Sequence, residues 1–246
     1  SEHNKSIVVD VPLVKKYLGA EIFYHEHNVD DSQVGVINGL AYTQAGGEVL
    51  KIECNTFPGK GSLIMTGNLG DVMKEATETA LSYVRSISTE LGINPNYFAT
   101  HDIHVHFPES ATPKDGPSAG IATALVILSA ITETRIRNDV AMTGEIDLRG
   151  NSLPIGGLRE KTNAAVRDHI KTVFIPSENH KDRMELPKEI SDNLEIVEVK
   201  KAKDLFSGVF MEDIYKKKAE IEKLTGNKEE KGKKTTKASK KENDGE

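Results

Sequence analysis

Eight residues, Pro113-Lys114-Asp115-Gly116-Pro117-Ser118-Ala119-Gly120, set the tightest limits on how this chain folds. They compress turn formers, an acid, a serine and a glycine between an alternating segment, Ile103 to Phe107, and the apolar run Ile121 to Ile131. The alternation predicts a strand and the run a helix, so Ser118 falls at a helix start. A serine there caps free backbone N–H groups. Given a base, it is also a nucleophile. The candidate base is Lys161, just inside a second predicted helix that begins after Gly156-Gly157.

The 246 residues suffice for one large domain with attachments and a sizeable core. There is no tryptophan and few aromatics, so that core must be mostly Ile, Leu, Val and Ala. A net charge of -6 gives no support to nucleic-acid binding by the body of the protein. Cys54 is the single cysteine, which excludes an internal disulfide and a cysteine metal cluster and fits a reducing compartment. No apolar run approaches the roughly 20 residues that span a bilayer. The polar start, Ser1-Glu2-His3-Asn4-Lys5, does not resemble a signal peptide. These features predict a soluble cytoplasmic protein with no membrane partner, and the initial serine predicts a fragment or a processed product.

Residues 1–30 read as an attachment, with a short strand at Ile7-Val8-Val9 and helical spacing from Val11 to Leu18 closed by Gly19. From Val34 the period becomes that of strands. Val34 to Tyr42 and Glu48 to Phe57 flank a Gln44-Ala45-Gly46-Gly47 turn, and Ser62 to Met65 follows. Asn68 to Leu91 is the clearest helix, with Asn68 as cap, Asp71 in the first turn and Gly92 as the stop. Its expected buried face is Val72, Met73, Ala76, Ala80, Val84, Ile87 and Leu91. Val140 to Leu148 reads as one strand carrying Thr143, and Thr172 to Pro176 and Leu194 to Glu198 as the last two.

Strands and helices interleave without a strict βαβ rhythm. That predicts an α/β fold of the α+β type, with helices packed on a mixed, partly antiparallel sheet. The main domain is expected over residues 31–206 and a C-terminal helical segment over 207–225. The Lys- and Glu-rich tail over 226–246 has almost nothing apolar to bury and is expected to be disordered.

A lysine acts as a base when its ammonium is destabilised, which means bringing a pKa of about 10.4 down to about 7 or 8. Ala164, Ala165 and Ile155 are apolar neighbours for Lys161, and Gly156-Gly157 allow another backbone to come close. Taken alone, Lys161 also reads as an exposed helix lysine. Thr143 either holds the lysine amine or is an ordinary strand threonine. Backbone N–H groups around Ser118, at the positive end of the following helix, are candidates for an oxyanion hole, although Pro117 has none to give. Asp115 is a turn acid or a side chain that shapes the loop.

Gly116-Pro117-Ser118-Ala119-Gly120 matches G-x-S-x-G, but that elbow needs a strand running straight into the serine, and polar turn-forming residues intervene after Phe107. His104 and His106 share a strand face and invite a metal or base reading, without a third ligand in sight. No phosphate-binding G-x-x-x-x-G-K-[ST] occurs.

Several segments, in order, resemble the proteolytic domain of the bacterial Lon family of ATP-dependent serine proteases. They are Val34 to Tyr42, Thr66 to Glu75, Thr112 to Gly120, Ala141 to Ile146 and Leu153 to Leu158, within a resemblance covering residues 6–206. It implies the fold of that domain and a Ser-Lys dyad, with Ser118 as nucleophile, Lys161 as general base and Thr143 as the lysine's hydroxyl partner. It also implies rings of six subunits and substrates that are unfolded or tagged proteins. His104, His106 and Asp115 match family positions and are assigned support rather than catalysis.

Residues 6–28 resemble the end of the family's ATPase module. ATP and Mg2+ are expected only for that module, and no cofactor is expected in this chain. Tyr42 stands where the family often has tryptophan, Phe107 follows the second histidine, and His169 stands where a glycine is usual. The rival reading is a non-catalytic scaffold of the same fold for oligomerisation or peptide binding.

Overall fold

A computed structural model describes residues 16–17, 32–43, 46–108 and 113–215. Apart from Lys16 and Tyr17, the expected attachment over 1–30 lies outside the described residues, as do residues 216–225 of the C-terminal helical segment and the tail over 226–246.

Nine strands are described: β1 (Val36–Thr43), β2 (Gly46–Pro58), β3 (Leu63–Thr66), β4 (His101–His106), β5 (Val140–Met142), β6 (Glu145–Ile146), β7 (Ser152–Leu153), β8 (Thr172–Pro176) and β9 (Glu195–Val199). Seven form one sheet in the order β3-β4-β2-β1-β5-β8-β9, and β6 pairs with β7 apart from it. β1, β2 and β4 are antiparallel neighbours, while β1-β5, β5-β8, β8-β9 and β3-β4 are parallel. This is the mixed, partly antiparallel α/β sheet that the strand periodicity predicts.

Three helices longer than two turns pack around it: α1 (Asp71–Ile87), α2 (Gly120–Thr132) and α3 (Leu158–Arg167). Alternate residues along the strands serve two separate cores. Ile37, Ile52, Val140 and Met142 join α2 on one face, whereas Leu40, Ala141, Val173 and Ile175 join Leu158 and Ala165 of α3 on the other. Every residue of β5 and β8 is buried, as parallel strands covered on both faces must be. α2 lies between the sheet and α1, so nearly all of its residues are buried. The apolar run from Ile121 satisfies that environment because it has no polar face to hide.

The structure corrects four details of the sequence reading. Val140 to Leu148 is not one strand, because β5 stops at Met142 and β6 begins at Glu145, leaving Thr143-Gly144 as a break. Asn68 does not cap α1. It has φ +56, and the helix starts at Asp71 with Gly70 as an N-cap that makes no side-chain bond. Val72 is 45 % exposed, and Thr77, Leu81 and Tyr83 complete the buried face instead. No neighbouring backbone comes close to Gly156, where a Cβ would meet nothing within 4 Å.

The close approach is made at Gly47, where a Cβ would lie 1.8 Å from the Glu160 carbonyl oxygen of α3. Gly157 has a different reason, φ +69 at the N-cap of α3. His169, which departs from the usual glycine, has φ +58, a backbone region where glycine carries no Cβ penalty.

Candidate active site

Ser118 is not a helix cap. Pro117–Ala119 form a 3-10 turn, α2 starts after Ala119, and neither start carries a side-chain cap bond. The strand before it, β4, ends at His106, so no strand runs into the serine as a nucleophile elbow requires.

The break after β5 brings the chain to this turn. Thr143 N–H donates to the Phe174 carbonyl of β8 at 3.1 Å, the last sheet-like bond, and Gly144 then turns to the serine. Gly144 N–H donates to the Ser118 carbonyl at 2.9 Å, and Ile121 N–H donates to the Gly144 carbonyl at 3.1 Å. A Cβ on Gly144 would stand 2.8 Å from Ile121 Cδ1 and 3.1 Å from Ser152 Oγ, so a larger residue there would need these side chains to shift.

Lys161 arrives from the opposite face of the sheet, on the buried side of α3, and is only 3 % exposed. Its Nζ donates to Thr143 Oγ1 at 3.1 Å, and Thr143 Oγ1 donates to the Ser118 carbonyl at 3.4 Å. Among the described residues no hydrogen bond joins Lys161 Nζ to Ser118 Oγ. Burial, with no other cause, brings the lysine pKa down from the usual 10.5 to about 8. Ser118, Thr143 and Lys161 thus form one constellation, with Thr143 in the middle.

Asp115 sits at the edge of that constellation. Its Oδ1 accepts Met73 N–H at 3.0 Å and Gly116 N–H at 2.9 Å, so it satisfies a free donor in the first turn of α1, the position where a negative charge is favoured. Two backbone bonds stitch the same loop to the start of α1: Gly70 N–H to the Lys114 carbonyl at 2.7 Å and Lys114 N–H to the Asn68 carbonyl at 3.1 Å. Asp115→Ala should therefore lower stability by about 1–2 kcal/mol, the usual cost of a lost cap, and Asp115→Asn by less because one acceptor remains. Urea unfolding of the two variants measures it, and equal loss in both would contradict the capping role.

His104 and His106 are elsewhere. Thr66 Oγ1 lies 2.9 Å from His104 Nε2 and 2.7 Å from His106 Nδ1. Three strand spacings, about 14 Å, separate their strand β4 from the β5 strand that delivers Thr143. Among the described residues no group of three or more His, Cys, Asp or Glu is placed to hold a metal ion. No described helix is long and apolar enough to cross a membrane.

A sequence profile of the Lon protease (S16) C-terminal proteolytic domain matches residues 8–212. The chain belongs to the Lon protease (S16) family. The Lon protease of Trichlorobacter lovleyi is 51 % identical over 198 residues, which is 80 % of this chain and 24 % of that protein. The Lon protease of Mycoplasma mycoides subsp. mycoides is 49 % identical over 205 residues, 83 % of this chain and 26 % of that protein. The Lon protease of Brucella suis is 53 % identical over 195 residues, 79 % of this chain and 24 % of that protein. The chain therefore spans about a quarter of the length of these Lon relatives.

Three positions in this Lon-family domain escaped the sequence reading. Gly47 passed as a turn residue, Gly144 as part of a strand, and Asn179 carried no signal at all. A glycine needed for close approach looks like any other until the second segment is placed against it. A buried asparagine between two turns looks like loop composition.

Proposed function

We propose that this domain is a serine endopeptidase that hydrolyses peptide bonds through Ser118 and Lys161. The observation that carries the reading is the buried lysine, with a pKa of about 8, hydrogen-bonded to the threonine that also contacts the backbone of Ser118. A lysine of that kind is neutral in about a tenth of molecules at pH 7, roughly 300 times more than at the usual 10.5, so it accepts a proton.

In the reaction, Ser118 Oγ attacks the peptide carbonyl carbon as its proton passes to Lys161 Nζ. The oxyanion forms beside backbone N–H groups of the Ser118 turn, at the positive end of α2. Collapse breaks the C–N bond, and the Lys161 ammonium returns the proton to the leaving amine. Water then attacks the acyl-enzyme ester as Lys161 takes its proton, and Ser118 is released with the proton restored. The bond from Ser118 Oγ to Lys161 Nζ is the contact this mechanism adds to the free geometry, and such bonds often tighten only with substrate. Thr143 orients the amine, Asp115 holds the loop, and His104 and His106 act at a distance as structural support.

The chemistry requires no cofactor from this chain. ATP and Mg2+ belong to the ATPase module, which delivers unfolded or tagged proteins to six-membered rings of these domains in the cytoplasm. By this reading residues 1–30 are the end of that module and its linker, and residues 31–206 are the proteolytic unit.

The test compares the unaltered chain with Ser118→Ala and Lys161→Ala on casein and a short fluorogenic peptide without ATP. Cleavage lost in both variants, with the fold retained by circular dichroism, is the expected result. Cleavage surviving either substitution would sink the dyad. No cleavage by the unaltered chain, together with no labelling of Ser118 by a covalent serine-directed inhibitor, would favour the scaffold.

The pH dependence follows from the same lysine. The neutral amine is the active form, so kcat should climb as pH rises through about 8 and level off above it. A profile flat from pH 6 to 9 would exclude Lys161 as the base.

A further inference from the structure

Strand β8 and the turn that follows it both hold segments that lead into the site. Its Phe174 carbonyl holds Thr143 N–H, which fixes the partner of Lys161. The turn that follows, Ser177–Asn179, places Asn179 in the interior with 2 % of its surface exposed. There its amide does what a paired strand would do. Oδ1 accepts Ile155 N–H at 3.0 Å, and Nδ2 donates to the Ile155 carbonyl at 2.8 Å. Nδ2 also donates to Asp182 Oδ2 at 2.6 Å, and only the NH2 end of an amide bonds well to a carboxylate, so the orientation is determined.

Ile155 is the midpoint of the connector between β7, which ends at Leu153, and α3, which begins at Leu158. Pro154 and Gly156 on either side are exposed. Among the described residues, the connector's only hydrogen bonds outside helix α3 are the two to Asn179. Lys161 follows at once, because its own N–H closes the first turn of α3 on the Gly157 carbonyl at 3.0 Å. Only Gly156 and Gly157 separate Ile155 from the turn that carries the lysine.

We propose that Asn179 is a positioning residue for Lys161: by pinning Ile155 it sets where α3 starts and so where the lysine amine meets Thr143. With Phe174, it makes β8 and the 3-10 turn after it the common anchor of both partners. The catalytic consequence rests on Lys161 being the base of Ser118, while the positioning itself does not.

The experiment is chosen to separate the two. Lysine labelled with 13C at Cε is incorporated into the chain, and the Lys161 resonance, assigned from its loss in Lys161→Met, is titrated alongside peptide cleavage. In Asn179→Ala the amine gains water, so its midpoint should move up from about 8 toward 10.5. kcat should fall about 100-fold, the cost of roughly 1 Å of misplacement, with KM within about twofold. Asn179→Gln keeps both ends of the amide on a side chain one methylene longer, and should recover at least about tenfold of the lost kcat without restoring it fully.

An unmoved Lys161 midpoint in Asn179→Ala overturns the proposal, whatever happens to kcat. If Asn179→Ala does not fold, Asn179→Gln decides, and a midpoint above that of the unaltered chain together with a lower kcat supports the pin. A midpoint and kcat in Asn179→Gln equal to those of the unaltered chain overturn it. If cleavage survives Ser118→Ala while Asn179→Ala still moves the midpoint, the dyad fails and the positioning stands.

Discussion

Lys161→Met should yield a protein that cleaves no peptide and is harder to unfold. The two effects have one cause. The folded chain holds the amine at a pKa of about 8 because burial penalises its charge, whereas the unfolded chain restores the usual 10.5. That difference is about 3 kcal/mol of stability missing from the native state. The full cost is present below pH 8, where both states are protonated. It shrinks between pH 8 and 10.5, where only the unfolded state binds the proton, and vanishes above that window.

Methionine has similar length and no charge to bury. Its cost is the bond that Thr143 accepts from the lysine, about 1 kcal/mol, since Thr143 still donates to the Ser118 carbonyl. A net gain of about 2 kcal/mol at pH 7 is expected, falling away by pH 10.5. Urea unfolding at the two pH values measures it. A variant less stable than the parent at pH 7 would show that the ammonium is better solvated than its burial implies.

Gly47→Ala should do the opposite and damage both stability and activity. The added methyl would stand 1.8 Å from the Glu160 carbonyl oxygen and 3.0 Å from the Lys161 nitrogen, so it meets backbone rather than a side chain that can turn aside. α3 must move off β2, at a cost of about 3 kcal/mol or more. The moved turn is the one that carries Lys161, so peptide cleavage should fall at least tenfold in the molecules that still fold. Gly156→Ala is the contrast, with an open site and an expected change within about 0.5 kcal/mol. Similar losses in the two variants, read by thermal unfolding, would mean that β2 and α3 tolerate separation.

Sequence periodicity carried the fold a long way, for a physical reason. Alternation across β1, β2 and β4 and the apolar run of α2 are local patterns, and each is the direct imprint of the face it buries. The break at Thr143-Gly144 left no such imprint. Val140, Ala141, Met142 and Ile146 are all apolar enough to continue a strand, and the chain leaves the sheet because Gly144 bonds to Ser118, a partner distant in sequence. Asn68 looked like a cap for the same reason. The acceptor that serves the first turn of α1 is Asp115, on another loop. Lys161 stands between these cases. Its apolar neighbours were visible, but its burial depends on α3 lying flat against β1 and β2, which a glycine in another segment permits.

Ser118 and Lys161 grow out of different cores, with the sheet between them. Neither core can open without taking one partner away, even if the other stays intact. Under the proposed mechanism, peptide cleavage should therefore report cooperative folding. A partial unfolding that loosened only the α3 side would leave most of the secondary structure in place, yet should end turnover through the proposed dyad as completely as global denaturation.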